Sequence, residues 1–161
     1  MADTRTPAQR RSIMQAVRSK NTGPELQVRK LIHNLGFRFS LHRRDLPGSP
    51  DIVLSSLRTA VFVHGCYWHG HQCAKGKLPK SNVSYWSAKI VANRLRDEAN
   101  RKALRAMDWH AVTVWQCELK AEGKLRVRLR KALSERRKIR STFSSKASKM
   151  KQSRKHTPRG F

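Results

Sequence analysis

Acid is what this chain has least of: 10 Asp and Glu stand against 36 Lys and Arg in 161 residues, a formal net charge of +26. Such an imbalance excludes cationic partners and points to a polyanion, nucleic acid first, with a ribosomal or heparin-like partner sharing the same attraction. Cysteine is also sparse. Cys66, Cys73 and Cys117 make an odd number, which argues against a disulfide framework and suits a reducing cytosol with thiols available to a metal. No stretch approaches the roughly 20 apolar residues of a membrane span, and Met1 to Arg5 is polar with no apolar signal core. The expectation is a soluble, cytoplasmic protein with no membrane association. Its length suits one domain of the usual size, about 100–150 residues, plus extensions, and no internal repeat is present.

Against this sparse background, chemistry crowds into His64-Gly65-Cys66-Tyr67-Trp68-His69-Gly70-His71-Gln72-Cys73. Cys66, His71 and Cys73, joined by the distant Cys117, form a Cys3His set of the kind zinc prefers; the bland alternative is three core cysteines and a packed histidine. His64 and His69 are then left over beside the knot, placed for proton transfer near neutral pH. Tyr67 and Trp68 lie between ligands, and exposed neighbouring aromatics mark a binding surface.

The rest of the chain supplies a frame for that stretch. Residues 1–20 form a basic arm with Ile13, Met14 and Val17 at helical spacing, able to dock on the domain or lie along a duplex groove. Thr22-Gly23-Pro24-Glu25 reads as a capping box, followed by Val28, Leu31, Ile32 and Leu35 on one helical face and a stop at Gly36. Glu25 is either only a cap or also turned toward a metal. Phe37, Phe39 and Leu41 alternate as a half-buried strand. Pro47-Gly48-Ser49-Pro50 leads into Asp51 and the apolar run Ile52-Val53-Leu54, where Asp51 is a turn residue or a hard-cation ligand at a sheet edge. A tight connection then returns residues 59–63 as a second buried strand. Ser84 is expected to cap a helix from about Tyr85 to Met107 with Trp86, Ile90, Leu95 and Leu104 on one face and Lys89 and Asn93 on the polar side. Periodicity leaves Trp86 either in the core or with Tyr67 and Trp68. His110 to Trp115 forms a further strand, and Leu125, Leu129 and Leu133 stripe a last helix.

No acidic residue follows Glu135. Residues 136–161 are therefore expected to be a basic tail, disordered when free, that adds salt-sensitive affinity for phosphate. The domain reading is 1–20 arm, 21–135 folded domain and 136–161 tail.

The order of elements is that of the restriction-type nuclease core, and the motifs resemble those of the very short patch repair (Vsr-type) DNA mismatch endonucleases over about residues 5–135. They are Arg18-Ser19-Lys20-Asn21-Thr22 with Glu25, Pro47 to Asp51, Phe62 to Cys73, and Val114-Trp115-Gln116-Cys117. The resemblance implies an α/β fold: a restriction-endonuclease-like three-layer core, with a mixed central sheet flanked by helices and a structural zinc site. It also implies magnesium on Asp51 and the Val63 backbone carbonyl, with His69 as general base and His64 and Glu25 supporting metal-bound water and the scissile phosphate. Cys66, His71, Cys73 and Cys117 would hold the structural zinc. Tyr67, Trp68 and Trp86 would wedge into the base stack, Ile13 and Met14 would cross the opposite groove, and Lys89 and Asn93 would sit near the mismatched pair.

The sequence departs from that pattern at three places. The acid-x-Lys pair of many such nucleases is absent, Val63 replaces an expected Thr, and Tyr67 replaces a more usual Phe. The expected activity is a magnesium-dependent, strand-specific nick 5′ to the thymine of a T·G mismatch left by 5-methylcytosine deamination. The substrate is double-stranded DNA, the state is monomeric, the setting is the nucleoid, and repair proteins are the expected partners. Two alternatives stand beside it: a nuclease of the same fold with another DNA target, and a zinc-stabilised basic nucleic-acid-binding protein for which Asp51, His64 and His69 are dispensable.

Overall fold

The computed structural model describes residues 6, 8, 9, 12, 20–78, 80 and 82–153, with side chains as far as residue 143. Ile13, Met14 and Val17 lie outside the described residues. Helix α1 spans Gly23–Asn34 and opens as its sequence predicts: the Thr22 hydroxyl accepts from the Glu25 backbone N–H, and the Glu25 carboxylate accepts from the Thr22 N–H. Pro24 sits in the first turn, where its missing N–H costs nothing. Gly36, at φ +80, takes the left-handed conformation just beyond the helix.

Four strands follow, β1 (Ser40–Leu41), β2 (Ile52–Leu54), β3 (Thr59–His64) and β4 (His110–Trp115), in that spatial order. The first two pairings are antiparallel and the third is parallel, which gives a mixed sheet. A parallel return needs a crossover, and helix α2 (Val83–Ala106) provides it. Helix α3 (Glu122–Ser153) ends the described chain.

Alternating strand side chains divide the core between the two faces. Ile52, Leu54, Val61, Val112 and Val114 pack with Val28 and Ile32 of α1 and with Leu125, Leu129 and Leu133 of α3. Val53, Ala60 and Phe62 meet Leu104 of α2 and Trp109 on the other face. β2 and β3 are therefore buried on both sides, the pattern of a sheet covered by helices.

Four local expectations change. Only Phe37 and Phe39 of the alternating trio face the core; Leu41 lies on the two-residue edge strand and is 40 % exposed. Asn82, not Ser84, stands at the N-cap of α2, in a left-handed conformation without a side-chain cap. Leu95 is 67 % exposed, because five residues from Ile90 turn a helix through about 500°, away from the face that Ile90 and Leu104 share. Finally, α3 runs on as far as Ser153, into the residues expected to be a disordered tail. No Gly or Pro lies between Lys124 and Thr157, and Lys, Arg, Ala and Leu all favour helix. Past Leu133 the helix leaves the core, and Ile139 and Phe143 are exposed.

Leu129 is fully buried between the sheet and α1, while Val127 on the same helix is 67 % exposed. Leu129→Ala should lower the unfolding free energy by about 2–5 kcal/mol in urea, and Val127→Ala by less than about 0.5 kcal/mol. Equal losses would mean that α3 does not close the core.

Candidate active site and metal centre

The parallel pairing sets His64 beside Trp115 at the end of the sheet, so both strands emerge together. β3 runs into the 65–73 loop, and β4 into a short 3-10 turn, Gln116–Ala121, that carries Cys117. One ligand atom from each of Cys66, His71, Cys73 and Cys117 lies within 4.8 Å of the others. His71 Nδ1 is 3.4 Å from Cys117 Sγ. A tetrahedral ion with Zn–S near 2.3 Å and Zn–N near 2.0–2.1 Å sets such ligands about 3.6 Å apart, so the donor set fits it. The thiols also want a cation. The His71 hydrogen bond lowers Cys73 to about 6, while burial and then Cys66 push Cys117 up to about 12. Clustered thiolates repel, and a divalent ion relieves that repulsion.

Backbone geometry shapes the loop around these ligands. The His71 N–H donates to the Cys66 carbonyl (2.9 Å) and the Cys73 N–H to the His71 carbonyl (2.8 Å). Gly70 takes φ +60 against α2, where a Cβ would stand 2.6 Å from Ile90. Three polar residues of α2 then hold the loop. Asn93 Nδ2 donates to the Trp68 carbonyl (2.8 Å), Arg94 Nε to the His69 carbonyl (3.1 Å) and Arg94 Nη2 to the Gly70 carbonyl; Asp97 Oδ2 meets His69 Nδ1 at 2.6 Å.

Asp97 did not stand out in the sequence, yet it organises the histidines. A carboxylate at this distance accepts, so His69 Nδ1 carries the proton and its Nε2 is left free to take one. His64 stacks on His69 with ring centroids 3.8 Å apart and 7° between planes, and its Nδ1 is 3.8 Å from the same carboxylate. Burial first, and then the neighbouring His69, lower His64 to about 4, so its ring is uncharged at neutral pH. Scarcity is the signal that could have found Asp97. It is one of ten acidic residues, and it lies four positions after Asn93 on one helical face.

These histidines face Asp51 across a cavity of about 860 Å³ that Val63, Glu25 and Arg101 also line. The antiparallel register of β2 and β3 brings Asp51 alongside Val63, whose backbone N–H donates to Asp51 Oδ2 at 2.7 Å. Burial raises the Asp51 pKa most; that hydrogen bond opposes the rise, and the Glu25 charge adds to it. A partly buried carboxylate beside a second carboxylate suits a hard divalent cation.

The aromatics gather at the loop's outer side. Tyr67, Trp68 and Trp86 form a triangle with centroids 5.2–5.8 Å apart, and Tyr85 extends it with an edge contact to Trp86 at 5.3 Å. Trp86 therefore belongs with the loop aromatics, the choice that periodicity left open. Tyr85, which sequence reading did not single out, is 51 % exposed and lies 5.8 Å from the Lys89 ammonium. Asn93, expected beside a base pair, spends one amide N–H on Trp68.

Glu25 is buried among donors. Its Oε2 accepts from the Asn21 N–H (3.0 Å) and Arg29 Nη2 (2.9 Å), and its Oε1 from the Thr22 hydroxyl (2.8 Å). His42 Nε2 stands 3.1 Å from Arg29 Nη2, and ligand atoms of Glu25, His42 and Asp51 lie within 4.8 Å of one another. Glu25 is thus a cap and a neighbour of the Asp51 site at once. Glu25→Gln replaces the acceptor Oε2 or turns an amide N–H toward Arg29, and should cost about 1–3 kcal/mol. Thermal melting of the DNA-free protein measures it; an unchanged midpoint would mean the network carries no stability.

Comparison with known proteins agrees with this architecture. A family model described as DNA mismatch endonuclease Vsr matches residues 2–75. The chain is 57% identical over 133 residues to the type II nicking enzyme V.XorIIP of Xanthomonas oryzae pv. oryzae, covering 83% of this chain and 98% of that protein. It is 35% identical over 125 residues to the DNA mismatch endonuclease Vsr of Escherichia coli K12, covering 78% and 80%. Among solved structures, the catalytic domain of the homing endonuclease I-Bth0305I superposes on 72% of this chain and 98% of its own, with a TM-score of 0.50 and 17% identity, a likeness of fold. With a restriction-endonuclease-like sheet, and with relatives matched over most of their length, this chain belongs to the Vsr family of DNA endonucleases.

Proposed function

We propose that this endonuclease nicks one strand of duplex DNA 5′ to the thymine of a T·G mismatch, with magnesium at Asp51 and a loop pinned by zinc. The observation that carries the reading is the His69–Asp97 pair at 2.6 Å, facing Asp51 across one cavity. Asp51 and the Val63 carbonyl would hold magnesium, which when bound offsets charge on the phosphoryl oxygens and lowers the pKa of an attacking water. His69 takes the proton of that water at Nε2, while Asp97 keeps Nδ1 protonated and steadies the imidazolium that forms. His64, uncharged at neutral pH, offers the phosphate a hydrogen bond without competing for the proton. Glu25, held by its neighbours, would order water around a metal bound there.

Recognition rests on the aromatic triangle. Inserting Tyr67, Trp68 and Trp86 costs a few kcal/mol of unstacking, roughly, and less at a mismatch that stacks poorly. Lys89, over the Tyr85 ring that adjoins the triangle, stands to meet the mismatched pair or its phosphate. Asn93 acts mainly by positioning Trp68, and the Ile13–Met14 arm crosses the opposite groove. Zinc on Cys66, His71, Cys73 and Cys117 fixes the turn that presents both the wedge and His69. The protein works as a monomer on chromosomal DNA in the cytoplasm, beside a cytosine methyltransferase and other repair proteins; among the described residues no helix is long and apolar enough to cross a membrane.

A labelled T·G duplex with a T·A control, with and without magnesium, tests the reading. One strand should be cut, only with mismatch and metal. Asp51→Ala should abolish nicking and His69→Ala should slow it by about 10²–10⁴-fold, with zinc content and duplex binding kept in both. Equal cutting of both duplexes would remove the mismatch assignment, and undiminished cutting by Asp51→Ala would remove the metal ligand. Elemental analysis should find one zinc per chain, lost in Cys117→Ser; a metal-free wild type with full activity would overturn the zinc assignment.

A further inference from the structure

A second cationic pocket lies at the other end of the sheet. It is a cavity of about 220 Å³ lined by Arg101 and Arg105 of α2, Asp108, Trp109, His110 at the start of β4, and Arg136 of α3. The charges inside are not balanced. Glu98 engages Arg101 at 2.6 Å, and Asp108 is shared by Arg140 at 3.5 Å and Arg58 at 3.8 Å. Among the described residues no carboxylate lies within ion-pair distance of Arg105 or Arg136. The Nε–H of Arg136 is buried and has no acceptor among the described residues, an unfavourable state that an arriving oxygen relieves. Three secondary elements thus bring cationic donors to a space whose one lining carboxylate, Asp108, is already shared by Arg58 and Arg140.

We propose that this pocket binds a phosphate group of the DNA backbone, away from the bond that is cut. Guanidinium forks match a phosphate's tetrahedral oxygens better than any other common anion-binding side chain does. The pocket also adjoins the active-site cavity at one side chain, Arg101, which lines both. Asp97 and Arg105 are eight residues apart on α2, about 12 Å along its axis. Each strand of a duplex carries a phosphate about every 3.4 Å of axial rise, so a strand seated at Asp51 passes others within reach of this pocket. Trp109, nearly buried, walls the space, and His110 adds a ring N–H from the strand start.

The proposal rests on duplex binding by this endonuclease and not on the mismatch or metal assignments, so its test uses a matched duplex without magnesium. Affinity is measured by fluorescence anisotropy of the full chain over a range of salt. The double variant Arg105→Gln, Arg136→Gln should make the slope of log K against log salt shallower by about 0.9, the value for one lost phosphate contact. Arg126→Gln with Arg130→Gln, exposed positions on α3 that remove the same charge, should change it less. Equal changes in the two double variants would reduce the effect to net charge and overturn the site. Arg105 is exposed, so Arg105→Gln alone carries the test, with a smaller loss of slope, should Arg136→Gln fail to fold. A second arm titrates inorganic phosphate and follows the His110 imidazole signals by NMR. A saturable shift, absent from the Arg105 and Arg136 variants, is expected together with the change of slope. Phosphate binding with an unchanged slope would assign the pocket to a free phosphorylated ligand and overturn the backbone reading; no shift and no change of slope would overturn both.

Discussion

The parallel pairing of β3 with β4 is the contact on which both centres depend. It registers His64 against Trp115, so the loop after one strand and the turn after the other leave the sheet side by side. Without that register Cys117 could not reach Cys66, His71 and Cys73, and His69 would not be held opposite Asp51. A parallel pair also requires a crossover, and the helix that makes it is the one that supplies Asn93, Arg94 and Asp97 to the loop. Topology and chemistry are thereby tied: the element needed to bring the chain back is the element that orients His69.

Much of this was legible in the residues because it is local. The capping box at Thr22 and Glu25, the buried runs at residues 52–54 and 59–63, and the stripe of Leu125, Leu129 and Leu133 each announce themselves within one or two turns of chain. The ligand set was readable by chemical type, since only three thiols exist. What escaped is relational. Asp97 lies 28 residues from His69, and nothing in its own neighbourhood marks it as a partner of a histidine. The same holds for Arg29 and His42, which meet only after α1 is laid beside the β1 edge. Leu95 misled for the opposite reason, because its local pattern is apolar while its angular position is not that of the buried face.

Charge alone did not distinguish the uses to which arginine is put. Arg29 compensates a buried carboxylate, Arg94 grips two loop carbonyls, and Arg128 ties Glu118 to the end of the sheet. Those side chains are committed to structure, so the net charge overstates the number of cations available to a polyanion. Ion pairs at the surface contribute little each, typically below about 1 kcal/mol, and so they serve geometry more than stability.

The three attachments from α2 to residues 68–70 have a mechanical consequence. Asn93 holds the Trp68 carbonyl, while the adjacent Arg94 and, about one turn further along, Asp97 hold the next residues of the same loop. The aromatic edge and the His69 ring are therefore mounted on a single stiff rod, as the two jaws of a caliper are mounted on one beam. On the proposed function, a duplex gripped by one jaw is measured by the other, and the position of the cut becomes a fixed length of the protein.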